Sequence, residues 1–412
     1  GVRFTVPEVS YAQPLDHQPA ALAYRDLDRT AAELGDDGEA WRALYAPLLA
    51  HQDAVLGIGL GDMRSVPEAV RDPRGALAAV RYGLRVLQLG TPAWRTRFTG
   101  EAAPALFGGV AAHGVARIPA LVPAGLGLFL GLLGHTTGWP LPVGGSQVIA
   151  DALVEDLRSH GGQIHTSARI DDYRQLPRAR AYFFDTAPGA IPRVWGERLP
   201  APAARRLSHY PHGNAVAKVD FVISEPVPWR DAGVGRAGTV HLGGTLPQMA
   251  HAEAQVAAGR HAEQPMTLVS DPSLGDPGRR HGGLRPLWTY AHVPAGSTAD
   301  VTETVIAQIE RFAPGFRDVI VASRCVPAAR MSEKNANYVG GDIGVGALRL
   351  RRMVAGPARR WNPYQVGIPG VYLCSSAAPP APGVHGMCGH HAARWALSER
   401  FGVNGTPDLG PH

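Results

Sequence analysis

Only two lysines, Lys218 and Lys334, and three cysteines, Cys325, Cys374 and Cys388, occur in the 412 residues. With so little lysine, the formal charge of +5 rests almost wholly on arginine. The arginines are scattered, with Arg349, Arg351 and Arg352 the nearest to a cluster. This excludes the continuous basic stripe of a nucleic-acid binder and fits a solvated face or a membrane-surface contact. Three cysteines without C-x-x-C spacing argue against a disulfide framework and a zinc site, and fit a reducing cytoplasm. No basic segment followed by an apolar run opens the sequence, so no secretory signal is visible. A G-x-S-x-G elbow is also missing, which removes the usual serine hydrolase. The apolar stretch Ile118–Gly134 holds Pro119 and Pro123 and falls short of the roughly 20 residues that span a bilayer. It reads as a buried helix lining an apolar cavity, with a shallow membrane dip as the alternative.

What the chain does have is apolar content of 45% over a length that suggests about two to three domains. Apolar spacing near 3.6 marks helices at Ala40–Leu49 and Gly75–Leu89. Gly144-Gly145-Ser146 starts a helix over Gln147–His160, and Gly161-Gly162 ends it. Residues 163–170 and 179–187 read as strands, and shorter strand patterns recur over 205–295. Near the C-terminus an apolar strand, Gly370-Val371-Tyr372-Leu373, stops at Cys374-Ser375-Ser376. A loop follows, Pro382-Gly383-Val384-His385-Gly386-Met387-Cys388-Gly389, and then an Ala-rich helix. Unpaired N–H groups at such a helix start, beside glycines that let a flat ring or a phosphate approach, suit an oxygen-rich, electron-accepting ligand.

This C-terminal run resembles the last strand, loop and helix of the phytoene desaturase-like family of FAD-dependent oxidoreductases. Further motifs occur in that family's order: Gly138-Trp139-Pro140-Leu141-Pro142-Val143-Gly144-Gly145-Ser146, Gly238-Thr239-Val240-His241-Leu242-Gly243-Gly244, Gln308-Ile309-Glu310-Arg311-Phe312-Ala313-Pro314-Gly315, and Asn337-Tyr338-Val339-Gly340-Gly341-Asp342. They are most similar to the branch related to pyridine nucleotide-disulfide oxidoreductase domain-containing protein 2. The resemblance implies a mixed α/β fold. Its flavin domain is discontinuous and Rossmann-like, and is joined to a helical and mixed-sheet substrate domain. The segments expected are 1–138 (substrate, helical), 139–200 (flavin), 201–345 (substrate, mixed sheet), 346–403 (flavin) and a tail, 404–412. The family opens with a βαβ unit carrying G-x-G-x-x-G, and this sequence starts after that point, so the flavin domain is expected to be truncated at its N-terminus. The literal match Gly233-Val234-Gly235-Arg236-Ala237-Gly238 sits between prolines and a strand and reads as a loop, and Gly57–Asp62 reads as a turn between helices.

By matching positions, the resemblance implies FAD contacts at Gly144, Gly145, Ser146, Ile170, Gly383, Val384, Gly386 and Met387. Ser375 and Ser376 are candidates for a phosphate or ribityl oxygen, or equally for capping the turn. His385 is the titratable residue best placed for proton chemistry, against the plainer reading of a histidine bonded to local backbone. His385, His390, His391 and Cys388 lack preset ligand geometry, so no metal is expected. Cys374 and Cys388 read as small buried residues and Asp342 as a turn cap. The implied activity moves hydride equivalents between an apolar, carotenoid- or lipid-like substrate and flavin N5. The alternative is a binding or assembly module without flavin. A cytoplasmic location is expected, and a peripheral membrane contact and a homodimer stay open.

Overall fold

The computed structural model describes residues 1–62 and 64–405. Most of the expected tail therefore lies outside the described residues. Among the described residues eleven strands form three sheets. In chain order they are β1 (Phe4–Thr5), β2 (Val9–Gln13), β3 (Ala21–Tyr24), β4 (Leu141–Pro142), β5 (Tyr182–Phe184), β6 (Ala215–Ile223), β7 (Ala237–Leu242), β8 (Thr267–Ser270), β9 (Arg285–Val293), β10 (Ile320–Val326) and β11 (Val371–Leu373).

The large sheet has seven strands in the order β10-β6-β9-β8-β7-β2-β3. All its pairs are antiparallel except β2 with β7, which makes it mixed. Alternation along β6 sorts its side chains. Ala215, Ala217, Val219, Phe221 and Ile223 join a core that takes Val305, Ile306 and Ile309 from the helix Thr302–Glu310. Lys218 and Asp220 face the other way, where helices Ala102–Ala111 and Leu246–Ala257 cover only part of the sheet. The uncovered part of that face is where a cavity opens.

Helix Leu121–His135 falls on the expected apolar stretch and packs into the helical core through Ala124, Leu128 and Leu132. Its glycines serve close approach. A Cβ at Gly131 would lie 2.2 Å from the Tyr45 hydroxyl, and one at Gly127 would lie 3.0 Å from the Ala111 Cβ. The helix does not line the large cavity, which corrects that part of the sequence reading: its apolar side is spent on helix–helix packing. Among the described residues, no helix is long and apolar enough to cross a membrane.

The smallest layered unit pairs β5 with β11 in parallel. Val371 and Leu373 point into a cluster with Ile191, Val194 and Leu207, whereas Tyr372 points into one with Ala392 and Ala396 of the helix Met387–Ala396. Helices thus cover both faces, as a parallel pair requires. Three sequence expectations need correction here. Residues 163–170 are not a strand: they find no pairing partner among the described residues, Ser167 sits at φ 56°, and most of the segment is exposed. The strand expected over 179–187 shortens to β5. Gly57 and Gly59 lie inside the helix Gln52–Gly59, not in a turn between helices. Gly233–Gly238 is, as read, a short 3-10 turn running into β7.

Candidate functional site

Strand register builds the floor of the site. Across the sheet, Arg324 pairs with Asp220, Asp220 with Trp288, and Trp288 with Ser270. Val326, Lys218, Tyr290, Leu268 and His241 form the adjacent row. Neighbouring strands stand about 4.8 Å apart, so the floor from β10 to β7 runs roughly 19 Å. Over it lies a cavity of about 880 Å³, walled by Trp139, Leu141, Pro142, Leu268, Leu287, Trp288 and Tyr290. Polar side chains enter at defined places. Lys218, hydrogen-bonded to Asp220, and Arg324 mark the β10 end, while Thr239 and His113 mark the β7 end.

Gly145 and Ser146 line this cavity from above. The Asp276 carboxylate ties their turn down, accepting from the Gly144 N–H at 2.7 Å and the Gly278 N–H at 3.1 Å. Gly145 sits at φ 93°, and a Cβ there would lie 1.9 Å from the Arg279 guanidinium. A side chain at 145 would displace the arginine and strain the backbone. Ser146 precedes the helix Gln147–Ser159 but its hydroxyl makes no capping bond.

The C-terminal candidates stand elsewhere. Gly386 adopts φ 65° at the start of the helix Met387–Ala396. The backbone N–H groups of Cys388 and Gly389 find no acceptor among the described residues. A Cβ on Gly386 or Gly389 would meet nothing within 4 Å, so the space above this helix start is open. The Val384 side chain is 93% exposed. None of Gly383, Val384, Gly386 and Met387 lines the large cavity.

His385 is held by its own loop. Its Nε2 lies 3.1 Å from the Ala381 carbonyl and its Nδ1 accepts from the Met387 N–H at 3.0 Å. Burial pushes the imidazole below its usual range, so it is neutral near pH 7 and both nitrogens are occupied. Ser375 is buried and accepts from the Ala377 N–H at 3.4 Å, a turn-capping role, while Ser376 is half-buried. Ile170 packs beside the β5–β11 layer. Cys388 is buried as expected, whereas Cys374 is only half-buried; desolvation pushes the Cys374 thiol up to about 12 and the Cys388 thiol up to about 11. Among the described residues no group of three or more His, Cys, Asp or Glu is placed to hold a metal. Asp342 accepts from the N–H groups of Gly213 and Gly344 and so pins two loops.

Sequence reasoning missed His113, His241, Tyr290 and Trp288. His113 Nε2 lies 2.8 Å from His241 Nε2, with Trp139 edge-on to both rings. Burial holds His113 down to about 4 and His241 well below its usual value. The one available signal was alternation: in β6, Lys218 and Asp220 interrupt an apolar strand at the same parity.

No family model matches the chain. An uncharacterized protein of Mycobacterium tuberculosis is 26% identical over 313 residues, covering 65% of this chain and 57% of that protein. Pyridine nucleotide-disulfide oxidoreductase domain-containing protein 2 of Mus musculus is 25% identical over 304 residues, covering 64% of this chain and 52% of its own length. The chain thus spans little more than half the length of these relatives. Among solved structures, an oxidoreductase from Methanosarcina mazei aligns with TM-score 0.55 at 14% identity, over 94% of this chain and 80% of that one. Cyclohexylamine oxidase from Brevibacterium oxydans aligns with TM-score 0.51 at 11% identity, over 97% of this chain and 81% of that one. At these identities the likeness speaks to the fold alone: a mixed α/β architecture, the class read from the sequence.

Proposed function

We propose that the chain carries the substrate cavity and part of the flavin site of an FAD-dependent oxidoreductase acting on an apolar, lipid- or carotenoid-like molecule. The observation that carries this reading is the long cavity with apolar walls, lined in part by Gly145 and Ser146 of the Asp276-anchored turn. A bound FAD supplies a ring that accepts or donates a hydride equivalent. This chain's residues fit such a group in two places. The free N–H groups of Cys388 and Gly389, with open space beside Gly386, suit an oxygen-bearing ligand edge, and the 144–146 turn presents bare backbone to the cavity. The loop around His385 orients this helix start; the histidine's own bonds make it a support of the loop. The name of one structural neighbour points to amines, but Lys218, Arg279 and Arg324 outnumber Asp220 and Asp276 around this cavity, which disfavours an ammonium group.

The test is the visible absorption spectrum of the purified chain during titration with FAD. We expect perturbed flavin bands with weak affinity, since no G-x-G-x-x-G turn occurs in a strand-to-helix context in this sequence. Gly386→Val should weaken binding further, by about tenfold, because φ 65° strains a β-branched residue. An unchanged spectrum at millimolar FAD would overturn the reading. It would favour a binding or assembly module without flavin.

A peripheral membrane contact belongs to the same proposal. The helix Pro73–Leu89 buries Gly75, Ala78 and Leu89, yet leaves Leu77 49%, Val80 58%, Leu84 58% and Leu87 53% exposed. Arg74, Arg81 and Arg85 flank this stripe on one side, and the helix contains no acid. Such a face suits an anionic lipid surface. Vesicles containing phosphatidylserine should sediment the chain, and Leu84→Glu with Leu87→Glu should release it; dimerisation of the chain without vesicle binding would assign the stripe to a second copy instead.

A further inference from the structure

Arg349, Arg351 and Arg352, the arginines nearest to a cluster in the sequence, belong to no part of the flavin or substrate reading, and the fold enlarges their group. The helix Ala201–Ser208 brings Arg206 beside them, and the loop after the short helix Leu350–Ala355 brings Arg359. These five arginines line one hollow of about 180 Å³, together with His209 and Tyr210. The hollow shares no lining residue with the large cavity, and no residue of the Gly386 helix start enters it.

Local bonds hold its frame. The loop folds back because Gly356 sits at φ 61°, where a Cβ would lie 2.0 Å from the Pro363 carbonyl oxygen. Arg359 itself takes φ 54°, a strained value for a residue with a side chain. Arg206 donates to the Ala358 carbonyl at 3.3 Å, which ties helix to loop. Arg352 is half-buried: its guanidinium lies 4.2 Å above the Tyr210 ring and donates to the carbonyls of Pro211 and Ala347. Burial, together with the charge of Arg349, pushes Arg352 below its usual range.

No acidic side chain lines the hollow. Arg29, Arg42, Arg311 and Arg317 pair with carboxylates elsewhere in the chain, whereas among the described residues none of these five does. Asp342, the acid whose charge reaches Arg352, is already engaged by the Gly213 and Gly344 N–H groups and lies 3.2 Å from His212 Nδ1. A guanidinium stays protonated throughout the accessible pH range, so five of them around one hollow repel one another until an anion enters. Arg349, Arg351 and Arg359 are exposed, and among the described residues their side chains make no hydrogen bond, which leaves their forked donors for that anion.

We infer that this hollow binds a compact polyanion carrying two phosphate groups close together, with Arg349, Arg351 and Arg359 as its ligands over a floor of Arg352 and Tyr210. A single phosphoryl group brings about two negative charges, fewer than the five arginines can answer. The size argues for a headgroup as opposed to a whole cofactor, since pockets that bury drug-sized molecules run from about 300 Å³ upward. Free pyrophosphate and a lipid headgroup with two phosphates share this chemistry. The inference makes no use of flavin or of the large cavity.

Calorimetric titration of the chain with inorganic pyrophosphate and with orthophosphate at low salt is the first arm of the test. Pyrophosphate should bind about tenfold more tightly than orthophosphate. Arg351→Gln with Arg359→Gln should weaken it about thirtyfold, whereas Arg3→Gln with Arg71→Gln, an equal change of net charge elsewhere, should leave it within about twofold. Arg349→Gln, expected to cost about fivefold, carries the test should the double variant fail to fold. The second arm uses phosphatidylcholine vesicles with and without phosphatidylinositol bisphosphate, on a Leu84→Glu, Leu87→Glu background so that the apolar stripe does not contribute. Pyrophosphate binding that depends on Arg351 and Arg359 supports the site with a free anion as its ligand. Vesicle binding with the same dependence, and no binding of pyrophosphate, supports it with the lipid headgroup as the source. Orthophosphate bound as tightly as pyrophosphate, an equal loss in the two double variants, or no binding of either probe overturns the proposal and returns these arginines to a solvated face.

Discussion

Glu253→Ala is expected to destabilise the fold by about 3 kcal/mol, the upper end of the cost of leaving a buried hydrogen-bonding group without its partner. Glu253 lies on the helix Leu246–Ala257 with no solvent exposure, and its Oε1 is hydrogen-bonded to Nδ1 of His292 on β9, itself 2% exposed. The imidazole stacks on the Tyr290 ring, with centroids 5.8 Å apart and planes 10° apart, so it cannot rotate to another acceptor without losing that contact. Truncation therefore strands His292 between sheet and helix. Glu253→Gln keeps an acceptor at the same place and should lose no more than about half as much. Urea denaturation with unchanged slope and a shifted midpoint is the measurement. An alanine variant within about 0.5 kcal/mol of the parent would show that helix and sheet are held by apolar packing alone.

The same contact shows why the site was only partly legible from sequence. Local signals marked the helices well. The spacing of Trp41, Leu44, Tyr45 and Leu48 buries one face of Gly38–Leu49, and the glycines at 144–145 and 161–162 bracket Gln147–Ser159. These are interactions within a few residues of one another, which propensity and periodicity record. Residues 163–170 failed because a strand is a statement about a partner, and extended character in one segment cannot supply one. The cavity failed for a related reason. His113 and His241 are 128 positions apart, and Lys218, Trp288 and Leu268 meet only through the register of two antiparallel pairs. The family motifs pointed to Gly145 and Ser146 because those residues are contiguous, whereas the opposite wall is assembled from six separate segments of moderate local character.

Acidification should unfold the protein from the inside, with most of the loss between about pH 6.5 and pH 4. His135 is 7% exposed, and its Nε2 accepts from the Trp41 indole N–H at 3.1 Å. Its Nδ1 has no partner, and the Tyr45 ring packs against it at 5.1 Å. A proton on Nε2 would turn that acceptor into a second donor facing the indole, and a charge would stand in an apolar cluster. Burial accordingly pushes its pKa down to about 4, as it does for His113. In the unfolded chain both imidazoles titrate near 6.5, so below that pH the unfolded state binds protons that the folded state refuses. Stability is thus fully retained above about pH 7 and falls as the pH drops, by about 2 kcal/mol per imidazole at pH 5. The loss levels off below the folded-state value near 4, where carboxylates held low by partners, such as Asp16 beside Arg311, begin to contribute instead. Urea midpoints measured at pH 7.5 and pH 5 should therefore differ clearly. His135→Gln, whose carbonyl can still accept from Trp41, should cost little at pH 7.5 and remove about a third of the difference, since His113 and His241 are held down by burial as well. Equal midpoints at the two pH values would mean that these histidines are hydrated in solution. A full pH dependence in the glutamine variant would place the proton uptake elsewhere, and the buried pair of His113 and His241 would be the next position to substitute.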